Sequence, residues 1–283
     1  MESRLAEALR LKYLPVAVLW SDDKPADALQ FVPGRWGCVM ASFGVTAERG
    51  RPAAFDRETY GCWGGGVGLG DGNCYEKFPG GEDGFCRFLS TGNETSARGR
   101  AVAEECAGWM RGSLLEAFLH GERYRNGPAT VAQWLKSIPM MDVPTKYVVF
   151  KRLEQVGVDD RPVVIVFLAN ADQMSALVVM ANYTHGGGEN AIIPHAAGCQ
   201  TIGIFAYREA DSRTPRAVVG LNDLSARKVL RRLGKDLVTV ALPFTLFQEM
   251  ERNVAGSFLE RDPWTSLRES SSQSCTEKNR EPS

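Results

Sequence analysis

Short, continuous apolar runs along the chain predict buried strands. The two clearest begin with proline, at 15–20 and 162–168, and neither alternates with polar residues. Unbroken apolar runs of this length are typical of strands that are covered on both faces of a sheet. Three further runs, at 146–150, 216–221 and 237–242, predict three more strands.

Apolar residues that recur every three or four positions predict helices around these strands. Asp223 precedes one such segment and is placed to cap its first turn. Strands that alternate with helices indicate an α/β or α+β fold around a mixed sheet. The predicted helices span residues 2–12, 101–110, 114–120, 130–138, 172–183, 224–233 and a last segment that begins at Pro243.

Residues 33–95 show neither the helical nor the strand period of apolar residues. They are rich in glycine, with Gly64, Gly65 and Gly66 in succession. Glycine accepts positive φ and allows the backbone to approach another group closely. A stretch of roughly 60 residues is too long for an ordinary connection, so we predict a functional layer of long Gly/Cys-rich loops. A second glycine-containing loop is predicted at 184–198.

Two segments of the chain resemble each other. Residues 15–29 and 162–177 each have the pattern of a strand, a polar turn and a helix, and each is followed by a Gly-Cys pair. One hypothesis is an ancient duplication that gives two pseudo-symmetric halves, with the pairs at Cys38 and Cys199 meeting near a shared axis. The alternative is that strand–turn–helix units resemble each other without common descent.

Composition and charge exclude several function classes. Apolar residues make up 44%, charged residues 24%, and the formal net charge is -1, which gives no indication of nucleic-acid binding or of attraction to an anionic membrane. No apolar run reaches the roughly 18 residues that span a bilayer, and the first residues lack the apolar segment of a signal peptide. We therefore expect a cytoplasmic protein without a nucleic-acid or membrane partner. Residues 1–262 are expected to form the globular part and residues 263–283 a disordered tail.

Seven cysteines carry the candidate chemistry. A reducing cytoplasm rarely keeps structural disulfides, and an odd number of thiols cannot pair fully within one chain. The possible roles that remain for the cysteines are buried inert thiols, a reactive thiol and metal ligands. Only three histidines are present, which nearly excludes a histidine-rich metal site. The cysteines are Cys38, Cys62, Cys74, Cys86, Cys106, Cys199 and Cys275.

Five of these cysteines follow a glycine by one or two positions, which indicates bare backbone close to a bulky group. Iron–sulfur clusters are held by thiolates, and their sulfides accept hydrogen bonds from backbone N–H groups. No Cys-x-x-Cys pair is present, so a shared site must be assembled in three dimensions. We predict a [4Fe-4S] cluster ligated by four thiols. The predicted ligands are Cys38, Cys62, Cys86 and Cys199, with Cys74 as a substitute, and the predicted backbone contacts are Gly37, Gly61, Gly64, Gly65 and Gly198.

Aromatic neighbours such as Trp36, Trp63 and Phe85 would protect a redox-labile cluster, so we favour iron–sulfur over zinc. A structural zinc site with four thiolates is the open alternative. If only three cysteines bind, one iron is free to act as a Lewis acid. The expected function is redox or sulfur chemistry on a small molecule, with a small-molecule substrate or an electron-transfer partner. The alternatives are a non-catalytic small-molecule-binding or metal-sensing protein with a glycine-rich pocket, and a structural protein with inert thiols.

Several stretches are specific enough to indicate a family, among them Cys62-Trp-Gly-Gly-Gly-Val-Gly-Leu-Gly70 and Phe85-Cys-Arg-Phe-Leu-Ser-Thr-Gly-Asn93. On these stretches the chain resembles the family called domain of unknown function 169, found largely in archaea and anaerobic bacteria. The resemblance implies a single domain and an anaerobic cytoplasm, and it implies no catalytic residue. The other matching stretches are Phe78-Pro-Gly-Gly and residues 138–153, 167–183 and 197–227.

Overall fold

The computed structural model describes residues 1–33, 35–59 and 61–268 of the chain. Its strands are β1 (Val16–Ser21), β2 (Ala53–Phe55), β3 (Tyr147–Arg152), β4 (Pro162–Ala169), β5 (Ala191–Ile192), β6 (Ala217–Gly220) and β7 (Val238–Pro243). They form one seven-stranded sheet in the order β2-β3-β1-β4-β7-β6-β5. Neighbouring strands are antiparallel apart from β5 and β6, which are parallel. The prediction of a mixed α/β domain is confirmed.

Twelve α-helices surround this sheet within the described residues up to 262. They include all seven segments that the helical spacing predicted, with ends shifted by a few residues. None of the described helices combines the length and the apolar character that crossing a membrane requires. The helices are α1 (Arg4–Ala8), α2 (Val39–Arg49), α3 (Trp63–Leu69), α4 (Gly81–Phe88), α5 (Gly99–Glu105), α6 (Ser113–His120), α7 (Pro128–Ser137), α8 (Ala171–Asn182), α9 (Gly198–Ile202), α10 (Ile204–Ala210), α11 (Leu224–Leu230) and α12 (Phe244–Arg252).

Both faces of the sheet are buried, which explains the unbroken apolar runs. Successive side chains of a strand point to opposite faces. In β1, Val16 and Val18 belong to the core that packs against α2 and α3, whereas Ala17 and Leu19 belong to the core beneath α1, α8 and α12. Because each face needs an apolar side chain, the strand shows no polar alternation.

The order of the strands is symmetric about the central pair β1 and β4. These two strands are antiparallel, with Ala17 opposite Ile165, and β3 and β7 flank them on either side. β2 and β6 occupy the next positions, and β5 is additional at one edge. The two segments that resemble each other in sequence begin with neighbouring strands, but the helix of the predicted pattern is present only in the second segment, as α8. After β1 the chain instead forms turns and a bridge from Leu29 to Ala53. The duplication itself stays a hypothesis.

The long loops predicted for residues 33–95 are wrong, because this region contains α2, α3, α4 and a 3₁₀ turn at Cys74–Lys77. The glycine triplet lies inside α3 rather than in a loop. A helix whose packing face consists of glycine has no apolar period, so its sequence does not show the usual helical signal.

The folded region continues beyond residue 262, where the globular part was predicted to end. Trp264 is only 4% exposed and packs into the core beneath α1 and α12. Its indole N–H donates a hydrogen bond to the Ala8 carbonyl at 3.3 Å. Residues 269–283, including Cys275, lie outside the described residues.

Candidate functional site

A pocket of about 610 Å³ lies among seven helices, and three of the predicted ligands line it. The three are Cys38, Cys62 and Cys199, which come from distant parts of the chain. A volume of this size is typical of sites for small molecules. The structure thus brings three of the four predicted cysteines to one cavity.

Each of these three cysteines stands where a helix begins. Cys38 immediately precedes α2, Cys62 immediately precedes α3, and Cys199 is the second residue of α9. The first N–H groups of a helix have no partner within it, and one of them, on Gly65, donates to the Cys62 Sγ at 3.1 Å. The Cys199 thiol donates to the Gly64 carbonyl at 3.2 Å. Two of the thiols are therefore held against the backbone of α3.

Glycine lets α3 and α9 pack backbone against backbone. A Cβ on Gly68 would lie 2.9 Å from the carbonyl carbon of Cys199, and a Cβ on Gly203 would lie 1.9 Å from the Gly68 carbonyl oxygen. A residue with a side chain does not fit such a contact without a shift of the backbone. The contact carries Cys199 to the helix that begins at Cys62. Neither Gly68 nor Gly203 was among the predicted site glycines.

A second glycine contact joins the loops that precede Cys38 and Cys62. The Gly37 N–H donates to the Gly61 carbonyl at 3.1 Å. A Cβ on Gly61 would lie 2.5 Å from the Gly37 carbonyl oxygen. The close approach predicted for these glycines is thus an approach of the two loops to each other.

The remaining predicted glycines have different surroundings. Gly64 and Gly198 line the pocket, and Gly65 lies in the first turn of α3. A Cβ on Gly198 would lie 2.8 Å from the Cβ of Ala226, so α9 and α11 also meet closely. A Cβ on Gly64 would have no neighbour nearer than 3.7 Å.

Cys86 does not join the other predicted ligands. It lies in α4, where Phe85, Phe88 and Leu89, at the end of the helix, face the pocket. One residue is about 100° of rotation around a helix, so Cys86 leaves that face and is buried in the core at 4% exposure. Its prediction as a ligand overlooked this rotation. Cys74, the predicted substitute, is also a core residue, and its thiol donates to the Asp71 carbonyl at 3.5 Å.

Burial keeps two of the pocket thiols, Cys62 and Cys199, protonated. It raises the pKa of Cys62 to about 12 and raises the pKa of Cys199 well above its usual value. The neighbouring cysteines and Asp223 shift both pKa values in the same direction. Reactive cysteines need a cation or a comparable positive field close to the sulfur. These two thiols are therefore not nucleophiles unless a positive charge is brought to them.

In the described chain, no group of three or more His, Cys, Asp or Glu side chains is arranged to hold a metal ion. The Cys62 and Cys199 sulfurs instead make hydrogen bonds with the backbone of α3. A metal centre on the three pocket thiols would require these sulfurs to turn towards a common point.

The wall of the pocket contains several aromatic rings among other apolar residues, and it includes two carboxylates. Asp223 caps α11 as predicted, and its oxygens accept from the backbone N–H groups of Ser225 at 2.8 Å and Gly198 at 3.4 Å. Burial, with a smaller effect of Asp223, raises the pKa of Glu122 to about 7. The aromatic residues on the wall include Trp36, Trp63, Phe78, Phe85, Phe88 and Trp134.

The sequence reasoning missed Glu122 as a site residue. It follows α6 in an irregular segment, and only its backbone fixes it, through donation from its N–H to the Phe88 carbonyl at 2.8 Å. A single acidic residue in such a segment has no pattern that distinguishes it from a solvated loop residue. Its place on the wall depends on the packing of α4 against α6.

The comparisons with known proteins identify one family. Its model, described as DUF169, uncharacterised ArCR, matches residues 4–253 of the chain. No curated protein and no solved structure matches the chain.

Proposed function

We propose that this chain, which belongs to the DUF169 family, binds a small molecule beside an iron–sulfur cluster held by Cys38, Cys62 and Cys199. One observation carries the proposal, namely that three thiols far apart in sequence line a single cavity at the starts of three helices. Cys86 is left out of the ligand set because it faces the core.

The chemistry of the donors fits a cluster. All three are thiols, which are the usual ligands of iron–sulfur clusters, and aromatic residues such as Trp63 and Phe78 limit access of water. Metal binding replaces the thiol protons, because the positive metal stabilises the thiolate. Iron would thus supply the positive charge that Cys62 and Cys199 lack. The Cys199 thiol would then lose its hydrogen bond to the Gly64 carbonyl.

Three protein ligands leave one iron of a four-iron cluster open, and such an iron supplies Lewis-acid or redox chemistry when the cluster is bound. The residues of the chain have a different task, which is to hold the small molecule. The aromatic wall provides apolar contact area, while Glu122 and Asp223 provide polar contacts that set the orientation. This division supports redox or sulfur chemistry on a bound small molecule.

The test is metal and sulfide analysis of protein that is purified without oxygen. We expect about four iron atoms and four sulfides per chain, together with broad visible absorbance. Cys38→Ser, Cys62→Ser and Cys199→Ser should each lose most of the iron. Cys86→Ser is the matched control, since it changes a buried thiol outside the pocket and should keep the iron.

Two results would contradict the cluster. One is wild-type protein without iron or sulfide after oxygen-free purification and reconstitution. The other is a Cys86→Ser variant that loses as much iron as Cys199→Ser while circular dichroism shows that both are folded. Stoichiometric zinc without sulfide would replace the cluster by a zinc site on the same thiols.

A metal-free binding pocket is the second candidate function. The observation that favours it is the present arrangement of Cys199, whose protonated thiol already has a hydrogen-bond acceptor in the Gly64 carbonyl. In this case the three thiols are part of a neutral wall. Full ligand binding by metal-free protein, unchanged in Cys199→Ala, would support this candidate over the cluster.

A further inference from the structure

We propose that the ligand of this pocket is a small aromatic molecule with a positively charged amino group, which Glu122 and Asp223 recognise. The inference rests on the proposed function in taking the pocket as the ligand site, and it adds the chemical class of the ligand. It depends on three features of the cavity, which are the two carboxylates, the position of the nearby cations and the aromatic wall.

The two carboxylates lack a cationic partner. No ion pair of the described residues includes Glu122 or Asp223. Asp223 accepts from two neutral backbone N–H groups, which fix its carboxylate without cancelling its charge. The Glu122 side chain makes no hydrogen bond within the described chain and is half-buried. A partly buried carboxyl group without a partner is unfavourable, and a ligand with charged N–H donors would remove that cost.

The basic side chains near the pocket contact other residues or are exposed to solvent. Lys228 lines the cavity but is exposed. Arg125 lies 3.2 Å from the His195 Nδ1 and over the Trp134 ring, with 5.7 Å from guanidinium carbon to ring centroid. His195 also lines the cavity and is exposed. The negative charge on the inner wall therefore has no fixed counter-charge from the protein.

The aromatic wall suits both parts of such a ligand. Trp36, Trp63 and Trp134 line the cavity together with phenylalanine side chains, so a flat apolar body has large contact areas. A cation within about 6 Å of a tryptophan face gains further attraction from the ring. An anionic ligand would meet the two carboxylates instead and would be repelled. The cavity therefore favours a cation on an aromatic body over a neutral or anionic molecule of the same shape.

Three probes of nearly equal shape test this preference. They are 2-phenylethylamine, 2-phenylethanol and phenylacetate, titrated into the full chain at pH 8 with tryptophan fluorescence as the readout. We expect the amine to bind about tenfold more tightly than the alcohol, as expected for a charged hydrogen bond, and phenylacetate to bind most weakly. Glu122→Gln should bring the affinities of the amine and the alcohol within about twofold of each other.

The control variants test whether the preference for the amine depends on the carboxylates of the pocket rather than on a carboxylate elsewhere on the chain. Glu116→Gln removes an exposed carboxylate of α6 outside the pocket and should leave the preference for the amine unchanged. Asp223→Asn is a second test variant, because asparagine also caps a helix, and it should reduce the preference as well. Iron and sulfide are measured in the same preparations. Full iron content without a preference for the amine would reject the ligand class and leave the cluster proposal intact.

Three binding results and one result with the variants would contradict the inference. Equal binding of amine and alcohol, tightest binding of phenylacetate, or no binding of any probe would overturn the inference. A preference for the amine that survives in both Glu122→Gln and Asp223→Asn would also overturn it, since the recognition would then lie elsewhere.

Discussion

The contact between α3 and α9 predicts opposite effects for two glycine-to-alanine changes in one helix. Gly64 and Gly68 both lie in α3. A Cβ at Gly68 would lie 2.9 Å from the backbone carbonyl carbon of Cys199 and 2.9 Å from the backbone nitrogen of Gln200. A Cβ at Gly64 would have the Tyr75 hydroxyl as its nearest neighbour, at an ordinary 3.7 Å. The two positions therefore differ in free space rather than in secondary structure.

The magnitude follows from two opposing contributions. Alanine stabilises a helix relative to glycine by roughly 0.5–1 kcal/mol, so Gly64→Ala should raise the free energy of unfolding by about this amount. Overpacking costs about 1–3 kcal/mol, and the upper part of this range applies at Gly68 because the opposing atoms are backbone. Gly68→Ala should then lower the free energy of unfolding by about 1–2 kcal/mol. The two variants should differ by roughly 2–3 kcal/mol.

Urea unfolding followed by circular dichroism measures this difference directly. The dependence on urea concentration should stay the same for both variants, so that the midpoints report stability alone. A Gly68→Ala variant as stable as Gly64→Ala would refute the reasoning, because it would mean that α3 and α9 separate without cost.

Two further predictions concern pH. Burial alone would raise the pKa of Glu209, but its hydrogen bonds with Arg216 and Arg208 hold that pKa below 4.5. The contribution of the Glu209 carboxylate to the stability of the fold is therefore present above pH 4.5 and is lost as the pH falls through the lowered pKa. Glu209→Gln should therefore lower the free energy of unfolding by about 1–3 kcal/mol at pH 7 and by less in acid. The control Asp83→Asn, which breaks an exposed ion pair, should change the free energy of unfolding by less than about 0.5 kcal/mol. Equal effects of the two substitutions would contradict this prediction. The pH dependence expected from Glu122 is opposite to that from Glu209, because burial raises the pKa of Glu122 from 4.5 to about 7. The folded state holds the proton more tightly than the unfolded state, so the stability of the fold falls as pH rises across that interval. Urea unfolding at several pH values should show this decline in wild type and its loss in Glu122→Gln; the same decline in the variant would assign it to another group.

The sheet could be predicted from the sequence because burial on both faces leaves a simple signal. Val16 and Ala17 face different cores, so the run that contains them is apolar throughout. The short strands β2 and β5 were missed, since three residues and two residues are too few to show a pattern. The helix α3 was missed for another reason, because Gly64 and Gly68 replace the apolar side chains that reveal a helical period.

The site was predictable only as far as residue type and local sequence decide it. Cys38, Cys62 and Cys199 directly follow a glycine, whereas Cys86 follows one by two positions, and the prediction made no use of that difference. The separation comes from the rotation of α4, which is fixed by packing between distant segments. Glu122 is on the wall for the same kind of reason, so the sequence alone could not reveal it.

The junction of Gly68 with Gly203 has a consequence for how the molecule is made. On the ribosome, Cys38 and Cys62 emerge long before Cys199, and the cavity has no third thiol until translation has passed α9. The nascent first half therefore contains only two of the three thiols that line the cavity. A group that needs all three thiols can bind only after both halves have been synthesised and have come together.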